Sequence, residues 1–351
     1  MKPTLHVVEG PYLGDILDQP RALEATLRGL EGPAGRLADV ACRLRDGGHT
    51  RVVLTGMGSS YHGLVPLQLR LVQAGLAPIT VESSELLHYQ GRLLTEGTLL
   101  VLASQSGRSA ETLGLLEVVR GRGVVTVGVT NTADSPLARE ATATVLTRAG
   151  EEATVSCKTY LAGQVALAWL GEVLVGGDLA AARAALEATI PGVATYVTAW
   201  RSHVEWLAER LRGVRAVFYT GRGPSLAAAC SAGLITKEST HRPSEGMSSA
   251  AFRHGPMEML DGNVFLLAFA GAFRTRGLNE ALVADVRAAG ARAFLAAADA
   301  PEEALRLPAV AELAGPVVEL LPVEMITLAL AALDGREAGR FERVTKVTTT
   351  Q

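Results

Sequence analysis

The chain alternates short, uncharged apolar runs with longer stretches in which apolar positions recur every three or four residues. The first kind reads as buried strand and the second as helix packed by one face. Residues 19–46 have helical spacing and predict one or two opening helices. Arg51-Val-Val-Leu-Thr-Gly56 reads as a strand ending in the glycine turn Gly56-Met-Gly-Ser-Ser60, with a helix over residues 61–73. Further strands are expected at residues 78–82, 98–103, 124–130 and 144–147, with helical segments between them. Strands alternating with helices imply a parallel sheet covered on both faces.

The pattern repeats. Arg215-Ala-Val-Phe-Tyr-Thr-Gly221 echoes the strand that ends at Gly56, 165 positions earlier. At the same offset Gly262-Asn-Val-Phe-Leu-Leu-Ala268 echoes Gly97-Thr-Leu-Leu-Val-Leu-Ala103. Two strands in register at one offset predict a duplicated α/β unit. The helical tract over residues 156–212 would hold the linker, with Pro191 as its break.

The chemistry concentrates in Ser104-Gln-Ser-Gly-Arg-Ser109, which lies between an apolar strand and a helix. A helix start offers unpaired N–H groups and a positive dipole end, so hydroxyls placed there suit an anion such as phosphate. An ordinary serine N-cap is the other explanation of this turn. The repeat bears on the choice: the positions matching Ser104, Gln105 and Ser106 are Phe269, Ala270 and Gly271. Only the first copy keeps the hydroxyls, which capping alone does not explain.

Composition narrows the picture. The 351 residues are 48% apolar and 20% charged, with 33 Lys and Arg against 36 Asp and Glu, a net charge of −3. Such balance gives no reason to expect nucleic acid or an anionic membrane as partner. Cys42, Cys157 and Cys230 show no ligand spacing and read as buried thiols of a reducing compartment. The start of the chain lacks a signal-like apolar stretch, and the apolar helix near residues 160–177 is short and interrupted by Glu172, so a cytoplasmic protein is expected. The seven histidines are scattered, and no Walker or G-x-G-x-x-G loop is present, so neither a metal nor a cofactor is expected.

Four further groups stand out. Ser156 and Lys158 open a long helix, and a lysine there opposes the dipole, which hints at a role other than helix stability. Ser231, Ile235 and Glu238 share one helix face, and partial burial would tune Glu238 toward general-base work. A solvated Glu beside Lys237 is the alternative. His254 precedes a Gly-Pro turn, either as a proton shuttle or as a structural residue.

Gly56-Met-Gly-Ser-Ser-Tyr-His, Ser104-Gln-Ser-Gly-Arg-Ser and Arg253-His-Gly-Pro, in this order, resemble the sugar isomerase (SIS) domain family. Within it the chain looks similar to the isomerase half of the glutamine–fructose-6-phosphate aminotransferases, from the opening helix near Ile16 to the tail Arg343-Val-Thr-Lys-Val-Thr-Thr-Thr-Gln351. The resemblance implies an α/β fold of two tandem SIS domains, each a doubly wound five-stranded parallel sheet flanked by helices. Residues 1–190 would form the first domain and 191–351 the second. It further implies a sugar-phosphate substrate held by Gly58, Ser59, Ser60, Ser104, Gln105, Ser106, Ser109 and Ser156. By the same likeness Glu238 moves a proton between C1 and C2, His254 opens the sugar ring from a neighbouring subunit, and Lys346 forms a Schiff base. A homodimer with a shared active site is implied as well. Two departures qualify it: Ser231 and Ile235 stand where the family carries Glu and Lys, and no glutaminase segment is read at the start. The wording Ser-Ser-Ala-Ala-Phe-Arg-His-Gly-Pro256 looks closer to stand-alone members that isomerise or deaminate amino-sugar phosphates, with a non-catalytic sugar-phosphate sensor as the alternative.

Overall fold

Buried β-branched and leucine runs set the frame of the computed structural model, which describes residues 5–30, 35–152, 154–343 and 345–348. Val344 and residues 349–351 of the tail motif therefore lie outside the described residues. Five strands form one parallel sheet: β1 (Arg51–Gly56), β2 (Ile79–Glu82), β3 (Thr98–Ala103), β4 (Val125–Thr130) and β5 (Ala143–Leu146), in the order β2-β1-β3-β4-β5. Every residue of β3 is buried, as a central strand covered on both faces demands. Four strands form a second parallel sheet: β6 (Ala216–Gly221), β7 (Ser244–Ser248), β8 (Val264–Phe269) and β9 (Arg292–Ala296), in the order β7-β6-β8-β9. The expectation of five strands in both sheets is thus corrected. After β9 the described chain runs through one isolated bridge, Ala297 to Arg306, and short helical turns, with no counterpart of β5.

The chain divides into two compact units. One, built on the first sheet, comprises Arg21–Glu151, Thr159–Glu187 and Val344–Gln351; the other comprises Met1–Pro20, Glu152–Lys158 and Ala188–Arg343. In the first-sheet unit Val53, Leu86, Leu100, Leu102 and Leu115 pack into one cluster. In the second-sheet unit Phe218, Phe252, Leu266, Leu282 and Val286 do the same. Fully burying each such side chain contributes about 1.5–3 kcal/mol.

Several polar residues find structural employment. Glu172, which breaks the apolar pattern of the helix Lys158–Val175, accepts two hydrogen bonds from Arg70 at 2.6 and 2.9 Å. That fork is what keeps a carboxylate tolerable on a helix packed in the core. Lys158 pairs with Asp15 at 2.8 Å and Asp18 at 3.0 Å, and Thr154 also donates to Asp15. Burial acts to lower the Lys158 pKa, but the two carboxylates outweigh it and hold the ammonium above its ordinary value. The lysine that opposes the helix dipole therefore fastens residues 152–158 to the helix Pro11–Leu17 of the same unit. Cys42, expected to be buried, is exposed, because its helix Arg36–Arg45 buries Leu37, Val40, Ala41 and Leu44 and leaves position 42 facing out. Pro191 lies inside the first turn of the helix Thr189–Thr198, where proline is tolerated, and not in a break.

The most apolar helical run is Glu312–Asp334, long enough by composition to cross a bilayer, yet 94% of its apolar window is buried in the protein. It carries two buried acids. Glu324 accepts from the Gln19 amide at 2.5 Å, and burial holds its carboxyl well above the usual range. Ser225 donates to Glu319 at 2.5 Å, while burial pushes the Glu319 carboxyl from 4.5 up to about 7.

Two outcomes are expected. A Cβ on Gly246 would sit 1.8 Å from the Ala229 carbonyl oxygen, where β7 meets the helix Leu226–Thr240. Gly246→Ala should therefore cost more than about 3 kcal/mol in chemical denaturation. The folded state binds the Glu319 proton more tightly than the unfolded chain, so its contribution is full below about pH 4.5 and is lost as pH rises to about 7. Across that window Glu319→Gln should gain up to about 3 kcal/mol over the wild type, read as the pH-dependent difference in unfolding free energy.

Candidate functional site

A parallel sheet opens a crevice where the chain leaves one strand to one side and returns to the other. In the first sheet that point lies between β1 and β3, since β1 leads to β2 on one flank and β3 begins the other. Gly56 and Ala103 are register partners at the ends of the two strands, so the loops that follow them start side by side. The first loop runs straight into the short helix Gly58–His62, placing Ser59 and Ser60 half-buried at its opening turn.

The second loop is the serine turn. Its backbone is pinned from β4: Thr130 Oγ1 and the Asn131 amide both donate to the Gln105 carbonyl, at 3.2 and 3.0 Å. Ser104 Oγ accepts from the Gly107 amide at 3.1 Å, and Ser106 Oγ from the Arg108 amide at 3.2 Å. A hydroxyl that accepts in this way keeps its own proton for a further partner, which fixes two donors in place before any anion arrives. Gly107 has φ +61°, and a Cβ there would sit 2.3 Å from Ser135 Oγ, so no other residue fits. Ser109 caps the helix Ala110–Val119 by accepting from the Thr112 amide at 3.3 Å. Ser109 is thus the cap of that helix, while Ser104 and Ser106 accept only from amides of the turn. Arg108 does not face an anion; its guanidinium is held by Asp134 at 3.0 Å.

The tail joins the same unit. The Ala110 amide, at the first turn of that helix, donates to the Thr348 carbonyl at 3.1 Å. Lys346, two residues earlier and half-buried, is thereby held within about 7 Å of chain from this anchor. The first-sheet unit therefore gathers Gly58, Ser59, Ser60, Ser104, Gln105, Ser106, Ser109 and Lys346. The supporting role of Thr130 and Asn131 escaped the sequence; its one signal is their place at the end of a buried strand and directly after it.

Ser156, Glu238 and His254 belong to the second-sheet unit. Glu238 is half-buried in the last turn of the helix Leu226–Thr240, where a negative charge opposes the dipole at a cost of about 0.3–1 kcal/mol. Along the same helix Ser231 and Ile235 are fully buried, so that stretch of the face carries no charge. His254 is exposed at the end of the helix Ser249–Arg253, just before Gly255. Ser156 is half-buried in the segment 152–158. Among the described residues no group of three or more His, Cys, Asp or Glu could hold a metal ion.

Residues 48–170 match the SIS domain model. Over 97% of its length the chain is 28% identical to a glutamine–fructose-6-phosphate aminotransferase of Pyrococcus horikoshii and 30% identical to one of Symbiobacterium thermophilum. It spans 57% and 59% of those proteins, less than two thirds of the curated relatives it matches. Among solved structures, its fold overlays on the C-terminal domain of glucosamine-fructose-6-phosphate aminotransferase from Francisella tularensis with a TM-score of 0.82 at 21% identity, covering 95% of this chain and 98% of that one. It overlays on glucosamine-6-phosphate deaminase from Thermotoga maritima with a TM-score of 0.79 at 17% identity, covering 97% and 100%. Residues 48–170 therefore match a SIS domain, and over nearly its whole length the chain is similar in sequence to part of the glutamine–fructose-6-phosphate aminotransferases.

Proposed function

We propose that the chain is a cytoplasmic, homodimeric enzyme that isomerises or deaminates a phosphorylated amino sugar, or cleaves a sugar-phosphate amine adduct. The observation that carries this reading is the pinned pair of hydroxyls, Ser104 and Ser106, at the crevice between β1 and β3. In the second sheet, Ala270 and Gly271 follow β8 at the matching positions. The second-sheet unit is read as a second SIS copy that supplies catalytic groups in place of a phosphate hook.

In this scheme the substrate phosphate accepts from Ser104, Ser106 and neighbouring amides, with Ser59, Ser60, Gln105, Ser109 and Ser156 completing the sugar's contacts. Glu238 takes the proton from C2 of the open-chain sugar and returns it to C1, or the reverse. His254, exposed on its own subunit, would protonate the ring oxygen of a sugar held by the other. Lys346 would add its amine to the ketose carbonyl and release water, forming an imine.

A second reading, a sugar-phosphate sensor without turnover, is favoured by the buried and uncharged Ser231 and Ile235. Where the family likeness leads one to expect a carboxylate and an ammonium before Glu238, this chain carries neither.

The experiment is turnover of glucosamine-6-phosphate, galactosamine-6-phosphate and fructoselysine-6-phosphate, followed as released ammonia or amine. Glu238→Gln should lower the rate by about 10²–10⁴-fold while leaving the ligand-induced melting shift in place. Binding without turnover in the wild type would favour the sensor and end the enzymatic reading. Ser104→Ala combined with Ser106→Ala should weaken fructose-6-phosphate binding by about tenfold or more. An unchanged affinity would remove the phosphate from this turn.

A further inference from the structure

The second sheet has a crevice of its own, with a different chemistry. Its strand order places a switch point between β6 and β8, and there, beyond the carboxyl ends of β6, β8 and β9, lies a cleft of about 340 Å³. That is within the range of pockets that take small organic ligands. The walls are short and apolar, among them Ala270, Ala272, Ala297, Pro308 and Pro316. The β8 turn is held shut by Asn279, whose amide donates to the Phe269 and Ala270 carbonyls at 2.9 and 3.1 Å.

What faces the cleft is acid. Glu319 lines it and is only 5% exposed. One carboxylate oxygen accepts from Ser225, while the other, Oε2, is buried with no hydrogen-bond partner among the described residues. An unsatisfied buried carboxylate oxygen is costly, and a ligand donor would relieve that cost. Among the described residues the one cation lining the cleft, Arg276, is already taken, by Glu280 at 2.7 Å and by both oxygens of Asp299 at 2.9 Å. Glu312 adds a further acid to the lining. A phosphate would meet no serine turn here and a surplus of negative charge. A cation on a compact apolar frame meets a waiting acceptor and matching walls.

We propose that this cleft is a second ligand site, for a small unphosphorylated primary amine of about hexose size, with its ammonium donating to Glu319 Oε2 and its carbon frame against the alanine and proline walls. The site lies in the second-sheet unit and does not depend on the reading of the serine turn.

Cyclohexylamine and its neutral counterpart cyclohexanol test this by calorimetric titration of the full chain at about pH 8, where the Glu319 carboxyl is ionised. Saturable cyclohexylamine binding is expected, about tenfold or more tighter than cyclohexanol. Glu319→Gln, which keeps the shape and an acceptor for Ser225, should weaken the amine by a similar factor. Ala298→Trp, an exposed substitution at the mouth, should abolish binding whether or not the first variant folds. Saturating fructose-6-phosphate should leave the amine's affinity unchanged. No saturable binding, equal affinity for amine and alcohol, equal affinity in either variant, or displacement by fructose-6-phosphate would overturn the proposal. Fructose-6-phosphate failing to bind at all would count against the serine-turn reading alone.

Discussion

The register that sets Gly56 beside Ala103 is the constraint on which the rest depends. Because β1 and β3 run parallel and adjacent while their following loops part to opposite flanks, two glycine- and serine-bearing turns must open on one gap. The sheet does not itself bind anything. It fixes the origin of each loop, so that short hydroxyls with little reach and little conformational freedom start from defined places. The bonds from Thr130 and Asn131 to the Gln105 carbonyl carry that rigidity one strand further, from β4 into the turn. Preorganisation here comes from the strand ladder and its immediate neighbours.

The two sheets share a strand order as far as the second sheet extends, yet their crevices have diverged in opposite electrostatic senses. In the first, the loop after β3 carries Ser104, Ser106 and Ser109. In the second, those hydroxyls give way to Phe269, Ala270 and Gly271, and a buried carboxylate comes in from the apolar run Glu312–Asp334. A repeated backbone thus leaves chemistry free to drift, because what the sheet needs from these loops is their starting point and not their side chains.

The strands were legible where burial was total. β3 and β8 show as uncharged, fully buried runs, and β1 after Arg51 and β6 after Ala216 do the same, because both faces of a central strand are covered, which removes any polar alternation. The serine turn was legible for a related reason, since hydroxyls between a buried strand and a helix have few other uses. What escaped depends on partners distant in the chain. Nothing near Lys158 announces Asp15 and Asp18, and nothing near Glu172 announces Arg70. The missing fifth strand after β9 escaped because Pro308 and the alanines around it neither declare a strand nor forbid one. Cys42 differs from expectation because cysteine number and spacing say nothing of which helix face a thiol lies on.

The hydrogen bond between the Ala110 amide and the Thr348 carbonyl ties an early helix to the last described residue. The opening segment Met1–Pro20 likewise groups with residues that follow it only after the whole first sheet. During vectorial synthesis the leading sheet can assemble while the remainder is still being translated, but the Ala110 amide meets its carbonyl only after residue 348 has been made. The start of that helix thus waits through more than two hundred residues of translation for its partner, a delay written into the path of the polypeptide.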